Sequence, residues 1–187
     1  RAMASSAPFK FYKLWPYNGG VRTPFLVSWP AGIRKTGLRR QFVDIIDITP
    51  TALDIAGVEA PEVFNGVCQI PLQGKSIRRT FDDPDNPDPR DTQYFELWGS
   101  RGIWHKGWKA VGIHTPGTDF DSDRWELYHV AVDFTESVNL APQYPDKLEE
   151  LKKLWWSEAA RNGALPLLEA PGGRQRTYDQ ALGAPKR

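Results

Sequence analysis

Cysteine, methionine and histidine are scarce in this chain: one, one and three in 187 residues. A single cysteine, Cys68, excludes an internal disulfide, so packing must hold the fold. His105, His114 and His129 stand nine and fifteen residues apart, in neither a zinc spacing nor a helical pair, and no transition metal is assigned to them. An excess of one charge is also missing. Twenty-four basic residues against twenty-three acidic ones leave a net charge of +1, which gives no reason to expect nucleic acid or a membrane surface as partner. No apolar run approaches the roughly 20 residues of a membrane span. The opening Arg1-Ala2-Met3-Ala4-Ser5-Ser6 has no basic segment followed by an apolar stretch and reads as an internal start. The compartment stays open between cytoplasm and periplasm.

What is present is a globular composition, 40% hydrophobic and 25% charged, with enough length for one ordinary domain or two small ones. Thr23-Pro24-Phe25-Leu26-Val27-Ser28-Trp29-Pro30 is a short apolar run stopped by proline, which predicts a buried strand ending in a turn. After the β-branched stretch 42–48, Thr49-Pro50 predicts a helix start and Gly57 its end after Ala56. Residues 82–91 read DDPDNPDPRD, where prolines remove donors and like charges repel, so a solvated linker is expected. Beyond it, residues 94–98, 108–113 and 124–130 read as aromatic-rich strands of a meander with glycine turns, one of them at Gly99-Ser100-Arg101-Gly102. After Pro145, Leu148, Leu151, Trp155 and Ala159 recur at helical spacing, with Glu149 and Lys153 placed to pair, and the helix should end near Gly163. Residues 166–187 show no periodicity, and Ala170-Pro171 before Gly172-Gly173 is a loop signal. The expected fold class is therefore α/β, with residues 1–81 as one portion, 82–91 as linker, 92–165 as a small antiparallel sheet packed by one helix, and 166–187 as an irregular tail.

Three landmarks carry a resemblance. Lys13 followed by Asn18-Gly19-Gly20-Val21-Arg22-Thr23-Pro24 resembles the segment of type I sulfatases in which a lysine precedes a Gly-Gly-x-Arg-x-Pro turn. Thr49-Pro50-Thr51-Ala52-Leu53-Asp54-Ile55-Ala56-Gly57 is similar to the family's Pro-Thr helix, and Trp125-Glu126-Leu127-Tyr128 with Asp133, Glu136 and Asn139-Leu140-Ala141 to its last strand and turn. The resemblance spans roughly residues 1–165 and implies the C-terminal part of an arylsulfatase within the alkaline phosphatase superfamily. Trp155-Trp156-Ser157-Glu158-Ala159 with Leu165-Pro166-Leu167 is similar to the large bacterial arylsulfatases, so a chain cut at both ends is expected.

Sulfate ester hydrolysis needs cationic groups around an anionic sulfate and a nucleophile. The resemblance gives Lys13 the first task, in both substrate binding and catalysis, with Arg22 as a lesser substrate contact. Its compact ammonium suits a single sulfate oxygen. Alone, such a lysine is a solvated surface residue; the flanking motif is what turns the reading. Gly19-Gly20 reads as a tight backbone turn rather than an anion nest. The implied nucleophile is formylglycine, made from Cys or Ser in Cys/Ser-x-Pro-x-Arg. Cys68-Gln69-Ile70-Pro71 has its proline one place late and reads as a small buried hydrophobe, and Ser6-Ala7-Pro8-Phe9-Lys10 belongs to the lysine landmark instead. The family's calcium ligands also precede this segment, so no metal ligand is placed on the chain, and the chain alone is expected to be inactive. The acidic 82–91 run lacks the glycine and bidentate glutamate of a calcium loop. Trp98, Trp104, Trp108 and Trp125 are expected under the C-terminal helix, and the basic 34–40 run as a solvated loop. The implied partners are a sulfate ester and the upstream part of the same catalytic domain. Two rivals are a phosphonate or phosphate monoester hydrolase of the superfamily and a non-catalytic carbohydrate-binding module.

Overall fold

The computed structural model describes residues 2–170. Most of the tail read as irregular, including the loop expected after Ala170, lies outside the described residues. In order the elements are α1 (Ala2–Ser6), α2 (Asn18–Val21), α3 (Ile48–Ala56), β1 (Val63–Phe64), β2 (Val67–Cys68), β3 (Thr92–Leu97), β4 (Ser100–His105), β5 (Trp108–Ile113), β6 (Arg124–His129) and α4 (Pro145–Arg161). Contacts divide the chain into two compact units: residues 1–24 with 92 onward, and residues 25–91. Residues 1–24 thus group with the C-terminal sheet, not with the segment they adjoin in sequence. The reason lies in their aromatics, described below.

In the first unit β3-β4-β5-β6 form an antiparallel meander. Leu97 pairs with Ser100 across Trp98 and Gly99, and His105 with Trp108 across Lys106 and Gly107. All four turn residues have positive φ, from 47° to 82°, the mirror-image hairpin that matches the sheet's twist. β4 is the strand the sequence hides. Its Gly102 reads as a turn glycine, yet it is mid-strand, and a Cβ there would meet Pro16 at 3.0 Å.

Period-two alternation then divides the sheet's two faces. One carries Ile103, Ala110 and Leu127 against Leu151, Trp155 and Ala159 of α4. Trp108 and Trp125 are partly buried in that cluster, as expected, whereas Trp98 sits in the first turn and Trp104 is buried at the alternate register position. α4 begins with Pro145 at its first position, where no donor is lost, and the Trp155 indole donates to the Phe95 carbonyl at 3.0 Å. Its ion pairs are Lys147–Glu150, Lys152–Glu149 and Arg161–Glu158, at i,i+3, instead of the expected Glu149–Lys153.

The second unit is organised around Asp47, fully buried. Its carboxylate accepts from the backbone of Asp44 and Lys75 and pairs with Arg90. Thr51, on α3, donates to the Asp47 carbonyl and accepts from Ile77 N–H. Gly57 ends α3 at φ 66°, as predicted. The acidic 82–91 segment has no helix or strand and is mostly exposed, yet it is tied to its own unit: Asp82 and Asp88 accept from the backbone of Arg34 and Phe42, and Gln41 donates to the carbonyls of Pro84 and Asn86. The prolines leave carbonyls for a side chain to claim. Residues 23–30 do not form the expected strand, because they have no strand partner among the described residues. Cys68 is exposed on the β1–β2 hairpin and is not the buried hydrophobe expected. Among the described residues no helix is long and apolar enough to cross a membrane.

Candidate functional site

The second face of the sheet is covered by residues 9–22. Phe11, Trp15 and Tyr17 cluster there with Val111, Ile113 and Tyr128, all buried. Phe11 stacks on Trp15 at 5.0 Å and lies 4.8 Å from Tyr17, and Tyr17 meets Tyr128 edge-on. Three aromatics entering the core at 11, 15 and 17 force the chain between them outward. Lys13 and Leu14 form the exposed apex.

The apex backbone is unusual. Phe11 and Leu14 have φ of 61° and 82°, a region that L-residues avoid unless their surroundings impose it. The surroundings here are α2. Gly19 N–H donates to the Lys10 carbonyl at 3.0 Å, and a Cβ on Gly19 would lie 2.3 Å from the Phe11 carbonyl oxygen. One on Gly20 would lie 2.0 Å from that of Trp15. The paired glycines are therefore neither a nest nor a simple turn; they let α2 sit directly against the backbone carrying Lys13.

Charges anchor the same segment. Tyr17 Oη donates to Glu126 at 2.7 Å, Tyr128 donates to the same oxygen, and Lys10 donates to Tyr128 at 2.8 Å and pairs with Glu126 at 3.3 Å. Burial alone would push the Glu126 carboxyl up, but these hydrogen bonds and the Lys10 ammonium outweigh it and hold the group below its ordinary value. On the other side Asn18 N–H donates to Glu136 at 2.7 Å, and Lys109, wholly buried, donates to Asn18 Oδ1 at 2.9 Å. Lys109 Nζ also lies 2.8 Å from the other Glu136 oxygen in an ion pair. Burial pushes the Lys109 ammonium below its usual range, and Glu136 opposes that shift.

Lys13 itself forms no hydrogen bond or ion pair among the described residues. Arg22, also exposed, lies over the Phe9 ring at 5.4 Å. No contact joins the two. The residues that sequence reasoning missed are Asn18, Lys109, Glu126 and Glu136. Asn18 carried a signal as a member of the first landmark and Glu126 and Glu136 as members of the third, whereas Lys109 carried none.

The histidines stand apart in structural settings. His114 is buried beneath Phe120 and faces Asp123 and Glu169, His105 meets Thr92, and His129 stacks on Trp108. Among the described residues no three His, Cys, Asp or Glu side chains are grouped to hold a metal ion.

An uncharacterized sulfatase of Schizosaccharomyces pombe is 32% identical over 88% of this chain, which spans 29% of that protein. Arylsulfatase K of Homo sapiens is 37% identical over 68% of the chain, which spans 25% of it. The crystal structure of Ps i-CgsB matches the fold with a TM-score of 0.65 at 20% identity, over 88% of this chain and 35% of the other. The chain thus spans about a quarter to two fifths of the curated relatives it matches, which include eukaryotic as well as bacterial sulfatases. The family described as N-sulphoglucosamine sulphohydrolase, C-terminal, matches residues 9–159, which contain the lysine loop, the meander and most of α4; the chain belongs to the sulfatase family as its C-terminal domain.

Proposed function

We propose that the full-length protein hydrolyses sulfate esters and that this chain contributes Lys13 to the sulfate site. The observation that carries the reading is an ammonium, unpaired among the described residues, at the apex of an aromatic-clamped loop inside the segment that matches the family. A solvated surface lysine needs no such mounting. A fixed cation is what sulfate transfer requires, since charge moves onto the leaving oxygen and a preorganised group need not reorient to meet it. Arg22, spread on Phe9, is assigned a lesser part at the rim.

The formylglycine nucleophile and calcium ligands belong to residues outside this chain, so the isolated chain is inactive. The upstream part of the catalytic domain is its physical partner. The relatives above do not favour a phosphonate hydrolase or a carbohydrate-binding module. In the full-length protein, Lys13→Ala should lower kcat/KM on 4-nitrophenyl sulfate by about a hundredfold or more, with Tm unchanged. Lys13→Arg should rescue incompletely, because the planar guanidinium places its charge differently. Near-wild-type kcat/KM in Lys13→Ala would return Lys13 to the solvated surface.

A further inference from the structure

Two charged groups occupy core positions beneath the lysine loop. Lys109 shares its face of β5 with Val111 and Ile113, where alternation calls for an apolar side chain, and is 1% exposed. Glu136, also 1% exposed and at φ 58°, meets it from the turn after β6. A buried ion pair is a poor device for stability alone: desolvating both groups cancels much of their attraction, and apolar residues of equal volume often do as well. Its distinguishing property is that each group accepts few arrangements of its partners.

Here the shared partner is Asn18. Its N–H is bound by Glu136 and its side-chain oxygen by Lys109, while its amide nitrogen donates to the Phe134 carbonyl at 2.8 Å. Asn18 opens α2, whose Gly19 N–H donates to the Lys10 carbonyl, and a Cβ on Gly19 or Gly20 would lie within 2.6 Å of the carbonyl oxygens of Lys10, Phe11, Tyr12 and Trp15. Lys13 lies between those contacts. The path from β5 to the apex thus consists of buried polar contacts and closely packed backbone.

We propose that Lys109 is a positioning residue for sulfate hydrolysis: with Glu136 it locks Asn18, and through Asn18 the backbone that aims Lys13. The small sheet is then the mount of an active-site lysine. This inference rests on the reading of Lys13 given above.

The test is a double-mutant cycle in the full-length protein with 4-nitrophenyl sulfate. Lys109→Met combined with Glu136→Gln removes both charges together and strands neither. Asn18→Ala, which leaves the pair in place, serves if that variant does not fold. Each is measured with Lys13 present and in the Lys13→Ala background. With Lys13 present, kcat/KM should fall about tenfold or more; in the Lys13→Ala background the further loss should be under about twofold, since nothing remains to be aimed. An equal loss in both backgrounds, or no loss with Lys13 present, overturns the inference while leaving Lys13 in the site. If Lys13→Ala alone leaves kcat/KM unchanged, the reading of Lys13 fails and the inference falls with it.

Discussion

At the scale of single residues, Glu126 and Gly20 make the mounting of the loop measurable. An unfolded glutamate titrates near 4.5, and Glu126 is held lower in the fold by Tyr128, Tyr17 and Lys10. A carboxyl depressed on folding contributes stability that is complete above its unfolded value and is lost as pH falls through the folded one. Urea unfolding of the chain should therefore weaken below about pH 4.5. Glu126→Gln should cost about 1.5–3 kcal/mol at pH 7 and flatten that acid loss, since the charge-assisted hydrogen bonds are gone at every pH. A Glu126→Gln protein as acid-sensitive as the parent would contradict this account. Gly20→Ala acts by volume instead. The new methyl would lie against the Trp15 carbonyl, and no side-chain rotation can relieve it. A loss of about 1–3 kcal/mol in the same assay is expected.

At the scale of elements, the sheet and α4 stand or fall together, because neither buries its apolar face without the other. Trp155 is the centre of that contact, fully buried and hydrogen-bonded to β3. Trp155→Ala should destabilise the chain by about 3–5 kcal/mol, and Trp155→Phe by less, having lost chiefly the indole donor; thermal denaturation would show the ranking. The same elements show what a sequence can disclose. β5, β6 and α4 were legible because their side chains repeat at their own period. β4 was not, since Gly102 is needed for the approach of Pro16, a residue far away in the chain. The strand expected near Phe25 has the right residues but lacks a neighbour among the described ones. Lys13 could be read from its flanking motif, whereas Lys109 could not: its meaning depends on Asn18, 91 residues earlier, and in isolation it is one lysine between two apolar positions.

At the scale of the whole molecule, the two units differ in how they treat apolar residues. The first has two filled cores and, among its described residues, exposes Val132 and Leu168 by more than 60%, whereas in the second Leu26, Leu38, Ile45, Val67 and Ile70 are each exposed to that degree. Surface of that kind is what the rest of a sulfatase domain would cover. The purified chain should therefore bind a hydrophobic dye and self-associate in sedimentation; a dye-silent monomer would show that this surface needs no cover. The discontinuous first unit also sets a timetable. During translation the loop bearing Lys13 is made before the sheet it packs on, and the partners of Asn18 follow it by 91 and 118 residues. At about 5–20 residues per second that is a wait on the order of ten seconds, during which Phe11, Trp15 and Tyr17 have no core to enter. Until the sheet is made, those three rings stay uncovered on the nascent chain. A ribosome that stops before Glu136 releases a protein with its lysine already made and nowhere to seat it.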